Sequence, residues 1–358
     1  MLQPRLTPAA SIRAMVEWYA THVYGRLEGA GQVPFYCDVA RVGRFAVAPA
    51  ALARGDEAAV FGLFVALTMY QSRRDVDIME KQRVMPVRAA EALVDPQRLH
   101  LAVAQSRCEH LRDGATFDER CDVRRTFVRD GASRDGATCD HRPRTPCHVK
   151  DASVAIGRMG DLGKMATSAW LHLRPPPAVS RAADMATPSG GYAQRLRREH
   201  AAPQGFAALL ARVCASHAAP AQRAAVMVTE LARFYHVGEK LASMFVAALA
   251  TPALAPGLTP WFPALDGNAL VVVDTNVARV VAALRPRGKN TYAARAAWLR
   301  KHAAQIDLSM IRSEWPTYSP RLMQQALYWY RSRSNREAVG LACRDSKHAT
   351  CVARICPF

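Results

Sequence analysis

The order of apolar and polar positions along the chain is that of helices almost throughout. Ile12, Met15, Val16, Tyr19 and Val23 recur at three- and four-residue spacing, which predicts a helix over 11–30 with one face on a core. The run from Ala58 to Tyr70 is apolar on every side, so 58–80 is expected to begin as a buried helix. Its thirteen residues fall short of the ~20 that cross a bilayer. Helical periodicity covers 85–104, interrupted near Pro96. It returns over 205–216, 221–235, 239–250, 275–284, 291–304 and 320–332. Only Ala269–Val273 carries a β-branched run, and five residues do not make a sheet, so the expected fold class is all-α.

Two stretches interrupt this pattern. Over 105–150 the apolar period disappears, RDGA occurs at Arg112, Arg129 and Arg134, and Cys and His accumulate, as in a loop-rich insertion. Helical pattern is weak over 151–173, Pro175, Pro176 and Pro177 then break the chain, and 178–203 is polar and basic. The second interruption is the Pro-rich stretch holding Pro252, Pro256, Pro260 and Pro263. A chain of 358 residues exceeds what one compact core usually fills, so two lobes or one enlarged domain are expected.

Composition adds a partner class. Lys and Arg number 48 against 30 Asp and Glu, a formal net charge of +18, which points to a polyanion. The N-terminal segment has no apolar stretch of the kind that directs export, so a cytoplasmic, nucleoid-associated protein is expected. Nine cysteines are an odd set in a long chain and read as core thiols or metal ligands, not as a disulfide frame.

Three segments carry candidate chemistry. In 231–249 (LARFYHVGEKLASMFVAAL) one helix gives way to another through Val237-Gly238, and Gly238 is expected to let the backbone turn sharply. The amides at the start of the second helix then form an anion site that suits a phosphate and ignores sequence. At Val273-Asp274-Thr275-Asn276, Asp274 stands where an apolar run meets a new helix, which also describes a simple N-cap. Finally, Gln71-Ser72-Arg73-Arg74 closes the apolar helix, and this too reads as an ordinary polar helix end.

Taken in order, FGLFVALTMYQSRRDVD (61–77), HVGEKLA (236–242) and VDTNVARV (273–280) resemble the helix-hairpin-helix DNA glycosylase superfamily, in its endonuclease III-like branch. The resemblance implies a two-lobed helical fold. One lobe, 45–250, would be a helical barrel carrying the hairpin and the insertion at about 105–150. Residues 1–44 and 270–358 would form the other, with a Cys-containing tail. It implies a DNA N-glycosylase with abasic-site lyase activity, working as a monomer on double-stranded DNA without contact to a membrane. Lys240 would be the amine that attacks C1′, and Asp274 the carboxylate that activates it and stabilises the sugar cation. Gln71 would approach the gap left by a flipped base. His236, Val237, Gly238 and Glu239 would hold a phosphate, and Arg73 and Arg279 would add backbone contacts. An attacking amine must first lose its proton, and the developing oxocarbenium ion favours a fixed carboxylate beside it. Without Lys240 the same fold would activate water and stop at the abasic site.

The chain also departs from that pattern. His236 replaces the hairpin's usual first glycine, and 33 residues separate Lys240 from Asp274, so 251–270 must loop out. There Trp261 and Phe262 are expected to pack down in preference to stacking on a base. The tail's Cys343, Cys351 and Cys356 have the spacing C-x7-C-x4-C, which suits a degenerate or absent [4Fe–4S] cluster, with Cys214 as a conceivable distant ligand. No cofactor is needed for the expected chemistry. Cys108, His110, Cys139, His141, Cys147 and His148 could bind zinc or belong to a basic loop on DNA. Gly157–Met165 lacks the glycine spacing and the Ser/Thr of a phosphate loop, which excludes that type of NTPase. Two other functions fit the same residues: a glycosylase for bulky modified bases in defence against phage DNA, and a hairpin protein that binds DNA without catalysis.

Overall fold

A computed structural model describes residues 7–71, 74–95, 205–232, 237–285 and 287–341. Among these residues the chain is helical with no strand. Helix α1 (Pro8–Tyr19) is capped by the Thr7 hydroxyl on the Ala10 amide and runs on through a π-helical turn, Ala20–Tyr24. Short helices α2 (Val39–Val42) and α3 (Pro49–Ala53) lead into α4 (Glu57–Thr68). Every residue of α4 from Val60 onward is buried, as its all-round apolar sequence requires. Then follow α5 (Asp75–Arg83) and α6 (Val87–Val94), and, beyond 96–204, α7 (Phe206–Ser216), α8 (Pro220–Leu231) and α9 (Glu239–Ala250). The last four helices are α10 (Thr275–Leu284), α11 (Tyr292–Ala303), α12 (Pro320–Arg331) and α13 (Arg333–Ala338).

Buried side chains gather into two apolar cores. The first centres on α4, against which α6, α7 and α9 pack, and is closed by Phe64, Phe206, Phe245 and Trp261. The second joins α1 to α10, α11 and α12 through Ile12, Val16, Val277, Leu299 and Leu327. Their boundary differs from expectation at one place. Tyr36, Cys37 and Val42 were grouped with the N-terminal helix, yet they lie in the first core, because α2 packs on α5. Residues 261–270 also end in the first core, through Trp261, Leu265 and Leu270.

The far end of the segment 96–204 is anchored to α4 by a single side chain. Both Glu57 carboxylate oxygens accept backbone hydrogen bonds from the start of α7, Phe206 N–H at 2.6 Å and Ala207 N–H at 3.1 Å. Glu57 thus caps a helix 149 residues away, and α6, which precedes the segment, packs on the same helix α4. Gly205 at φ 106° allows the chain to enter this cap; a Cβ there would meet the Glu57 carboxylate at 2.6 Å.

The Pro-rich stretch packs down. Trp261 is buried edge-on to Phe245, and its amide donates to Leu249 O at 3.0 Å; Phe262 beside it stays exposed. Gly267 N–H bonds Ala250 O at 2.8 Å, so the chain is back beside the end of α9 before it goes on to Asp274. The β-branched run 269–273 forms no strand. Side chains bond its backbone instead: Gln324 Oε1 accepts from Val272 N–H, Tyr292 donates to Val271 O, and Arg300 donates to Ala269 O. This strap passes from one core to the other, with Leu270 in the first and Val271 and Val273 in the second. No described helix is long and apolar enough to cross a membrane.

Candidate functional site

Lys240 is the second residue of α9. Leu241, Ala242, Phe245 and Val246 bury the opposite side of that helix and so fix where Lys240 points. Its Nζ donates to the Tyr70 carbonyl at 2.7 Å, just past the end of α4. Asp274 is the N-cap of α10, and its Oδ1 accepts from Val277 N–H at 2.7 Å. Asp274 therefore is an N-cap, and it is also more than one. Lys240 and Asp274, well apart in sequence, line one open cleft of about 1270 Å³ and an adjoining narrower pocket of about 140 Å³. Four residues are common to both spaces: Tyr70, Asp75, Lys240 and Asp274.

Electrostatics distinguish this junction from an ordinary helix start. Burial raises the Asp274 carboxyl to about 6, against the opposing pull of the Val277 amide and the Lys240 cation, while Asp75 adds to the rise. Burial likewise raises Asp75, opposed by hydrogen bonding from Tyr328, the Lys240 charge and Asn335. Tyr328 donates its hydroxyl proton to Asp75 Oδ2, and Asn335 Nδ2 donates to the Tyr328 oxygen. Burial and the Asp75 charge hold the Tyr328 hydroxyl well above its usual range, so it remains a donor. One cation thus faces two carboxylates, each buried enough to feel it.

The other expected residues fall less uniformly. Gln71 lines the cleft, half-buried, with Nε2 donating to Thr68 O at 3.0 Å. Arg279 lines it as an exposed cation. Gly238 and Glu239 are exposed at the start of α9, but Val237 is fully buried and presents nothing to a phosphate. Gly238 is not the turn residue expected: at φ −90° and ψ 176° its backbone is extended, a conformation open to any residue. A Cβ built there meets nothing within 4 Å, so nothing in the protein requires glycine at this position. Glu239 brings a carboxylate to the first turn of α9, where it suits the helix dipole and competes with a bound anion. Arg73, His236, Cys343, Cys351 and Cys356 lie outside the described residues, as do the Cys and His residues of 105–150. Among the described residues no group of three His, Cys, Asp or Glu is placed to hold a metal ion. Cys214 is half-buried beside the first core.

Sequence reading missed the back wall of the cavity. Arg321, at the start of α12, is 6% exposed. Its Nη1 donates to Gln324 Oε1 at 2.8 Å and Gln325 Oε1 at 2.9 Å, and its Nε has no hydrogen-bond partner. Nearby, Glu28 accepts from Gln325 Nε2 and Trp329 Nε1, both at 2.8 Å, and from the Tyr19 hydroxyl. Asp75 stood inside the quoted motif but read as part of a polar helix end. Arg321 and Gln324 fall on a short amphipathic helix, where nothing in the pattern marks an inward charge. Comparison of the chain with protein-family models, with curated proteins and with solved structures finds no match in any of the three.

Proposed function

We propose that this protein is a DNA N-glycosylase with an associated abasic-site lyase activity, acting on a damaged or modified base in double-stranded DNA. The observation that carries the reading is that Lys240 and Asp274 line both a narrow pocket and the open cleft that adjoins it. The cavity would take a base turned out of the duplex, since C1′ cannot be reached while the base is stacked. The cleft would take the strand. Arg279 and Arg331 on its wall supply charge for phosphates without reading sequence.

In this reading Lys240 Nζ, as the neutral amine, forms a bond to C1′ while the N-glycosidic bond breaks, and the electron pair leaves with the base. Asp274, ionised above about pH 6, stands beside the sugar as positive charge develops there. The new C1′–N ammonium loses a proton, and the C1′–O4′ bond then breaks with a proton delivered to O4′, which opens the sugar and gives the protonated Schiff base. Removal of a C2′ proton then expels the 3′ phosphate and cuts the strand, and water releases Lys240. Asp75, held by Tyr328, is a second carboxylate within the field of Lys240 and a candidate to receive a proton. The chemistry uses these side chains alone and needs no metal.

The test is reductive trapping. Abasic duplex treated with the protein and borohydride should give a covalent protein–DNA adduct, and Lys240→Ala should give none. If wild type traps no more than Lys240→Ala, Lys240 is not a nucleophile and the lyase step is absent.

A further inference from the structure

Strand scission needs a base for the C2′ proton, and the glycosidic step leaves one carboxylate beside Lys240 unused. Asp75 is the first residue of α5 and lines both the narrow pocket and the open cleft, as Lys240 and Asp274 do. The two carboxylates are held differently. Asp274 is turned onto the start of α10, where the amides of Val277 and Asn276 bond it. So fixed, it is suited to remain an anion beside a developing cation. Asp75 instead accepts at Oδ2 from the Tyr328 hydroxyl on α12, whose oxygen accepts in turn from Asn335 Nδ2 on α13. A base oriented by a second side chain, itself oriented by a third, is the arrangement that proton transfer requires. The charges that reach Asp75 come from Lys240 on α9 and Asp274 at the start of α10, while Tyr70 and Tyr328 stay neutral. From α2, Arg41 lines the narrow pocket; from α13, Arg333, paired with Glu337, lines the cleft. Burial raises the Asp75 carboxyl above the usual carboxylate range, which makes its ionised form a stronger base.

We propose that Asp75 is the base of the lyase step and takes the C2′ proton of the sugar joined to Lys240, while Asp274 serves the glycosidic step. This proposal rests on the glycosylase and lyase reading. Four residues are shared by the pocket and the cleft. Lys240 is consumed in the bond to C1′, Tyr70 is a neutral phenol and Asp274 is tied to its helix, which leaves Asp75. In the protonated Schiff base C2′ is the carbon next to C1′. Its C–H bond breaks, the proton goes to an Asp75 carboxylate oxygen, and the electron pair forms the C1′–C2′ double bond as the C1′–N pair settles on nitrogen. The enamine nitrogen then returns its pair. The C1′–N double bond re-forms, a C2′–C3′ double bond appears, and the C3′–O bond breaks with its electrons leaving on the 3′ phosphate. Asp75 gives its proton to water in the open cleft. Tyr328 keeps its own proton throughout and steadies the ionised carboxylate.

One abasic duplex is followed in two ways. Borohydride trapping counts the Schiff base, and strand cleavage without reductant counts elimination. Wild type is expected to do both. Asp75→Asn still accepts from Tyr328, so it should trap within about twofold of wild type yet cut about 100-fold more slowly or worse, the range of a lost general base. The ratio of cleavage to trapping in wild type should fall in acid, as Asp75 takes up a proton. Tyr328→Phe keeps the carboxylate but removes a bond that favours its ionised form, so the acid limb of that ratio should move to higher pH. This variant stands in if Asp75→Asn fails to fold. Cleavage by folded Asp75→Asn within about threefold of wild type overturns the assignment of Asp75, as does equal loss of trapping and cleavage. An acid limb unmoved in Tyr328→Phe, or a wild type that traps without cutting, also overturns it, and in each of these cases Lys240 stands as the nucleophile. Failure of wild type to trap abasic DNA overturns the lyase reading and this proposal with it.

Discussion

The two apolar cores bury different things. Around the first, Phe64, Phe206, Phe245 and Trp261 meet ring to ring, and the buried polar side chains near it, Thr68, Gln82 and Ser243, are all uncharged. The second encloses Arg321 and Arg336, which are buried at 6% and 2% exposure. Arg336 lies over the rings of Trp18 and Tyr330, while Arg321 donates to two amide oxygens and has the Glu28 and Asp274 carboxylates as unbonded countercharges. Burying a charge without a well-placed countercharge opposes folding, and an apolar residue of similar volume is often as stable. The contrast therefore teaches a division of labour: the first core holds the fold and positions Lys240, while the second carries groups whose stability cost is explained by what they face.

The largest expected effect tests the first half of that contrast. Phe245→Ala should lower stability by about 3–5 kcal/mol, measured by urea unfolding, because three aromatic neighbours cannot close over the void. A loss below about 1 kcal/mol would show that this core does not dominate.

Asp274→Asn sharpens the second half. A carboxyl raised in the folded protein resists ionisation there, so its contribution favours folding in acid and is lost as pH rises through about 6. Asparagine removes the charge and still caps α10. The variant should thus gain about 1–2 kcal/mol at neutral pH, a discounted share of the shift, while losing base release by about 100-fold or more. Wild-type activity should fall on the acid side of about pH 6. Lower stability of the variant at pH 7 would show that the ionised carboxylate supports the fold.

Arg321→Met is expected to lie within about 1 kcal/mol of wild type by the same measurement, because the lost hydrogen bonds are offset by removal of a buried cation. A loss as large as that of Phe245→Ala would erase the distinction between the cores. The smallest effect belongs to the cleft wall. Arg279→Ala should leave the unfolding curve unchanged, weaken duplex binding a few-fold and reduce the salt dependence of binding by about one counterion.

How much of this was legible depended on whether a residue's neighbours were near in sequence. The helices of 58–68, 206–216, 275–284 and 320–331 could be read because apolar spacing encodes burial directly. Lys240 and Asp274 could be named because each sits at a helix start inside a recognisable local pattern. What could not be read was contact across the fold. Asp75 gains its character from Tyr328 and Asn335, more than 250 residues later, and Arg321 gains its own from Gln324, Gln325 and a wall shared with Glu28. Gly238 was given a turn it does not make, because a glycine in sequence does not reveal its φ angle. The strap 269–273 had strand composition but no partner strand, and its backbone bonds were taken by side chains instead.

The Glu57 clasp has a consequence for how this chain tolerates change. Closing a loop usually becomes harder as the loop grows, yet only slowly, by about 0.6 kcal/mol per doubling. Here the helices on either side of 96–204 are both held on α4, α6 by packing and α7 by the Glu57 carboxylate that accepts from its first two amides. The scaffold therefore has a socket of fixed width. Changes of length or composition within 96–204 are therefore expected to leave α4, α6, α7 and Lys240 in their places.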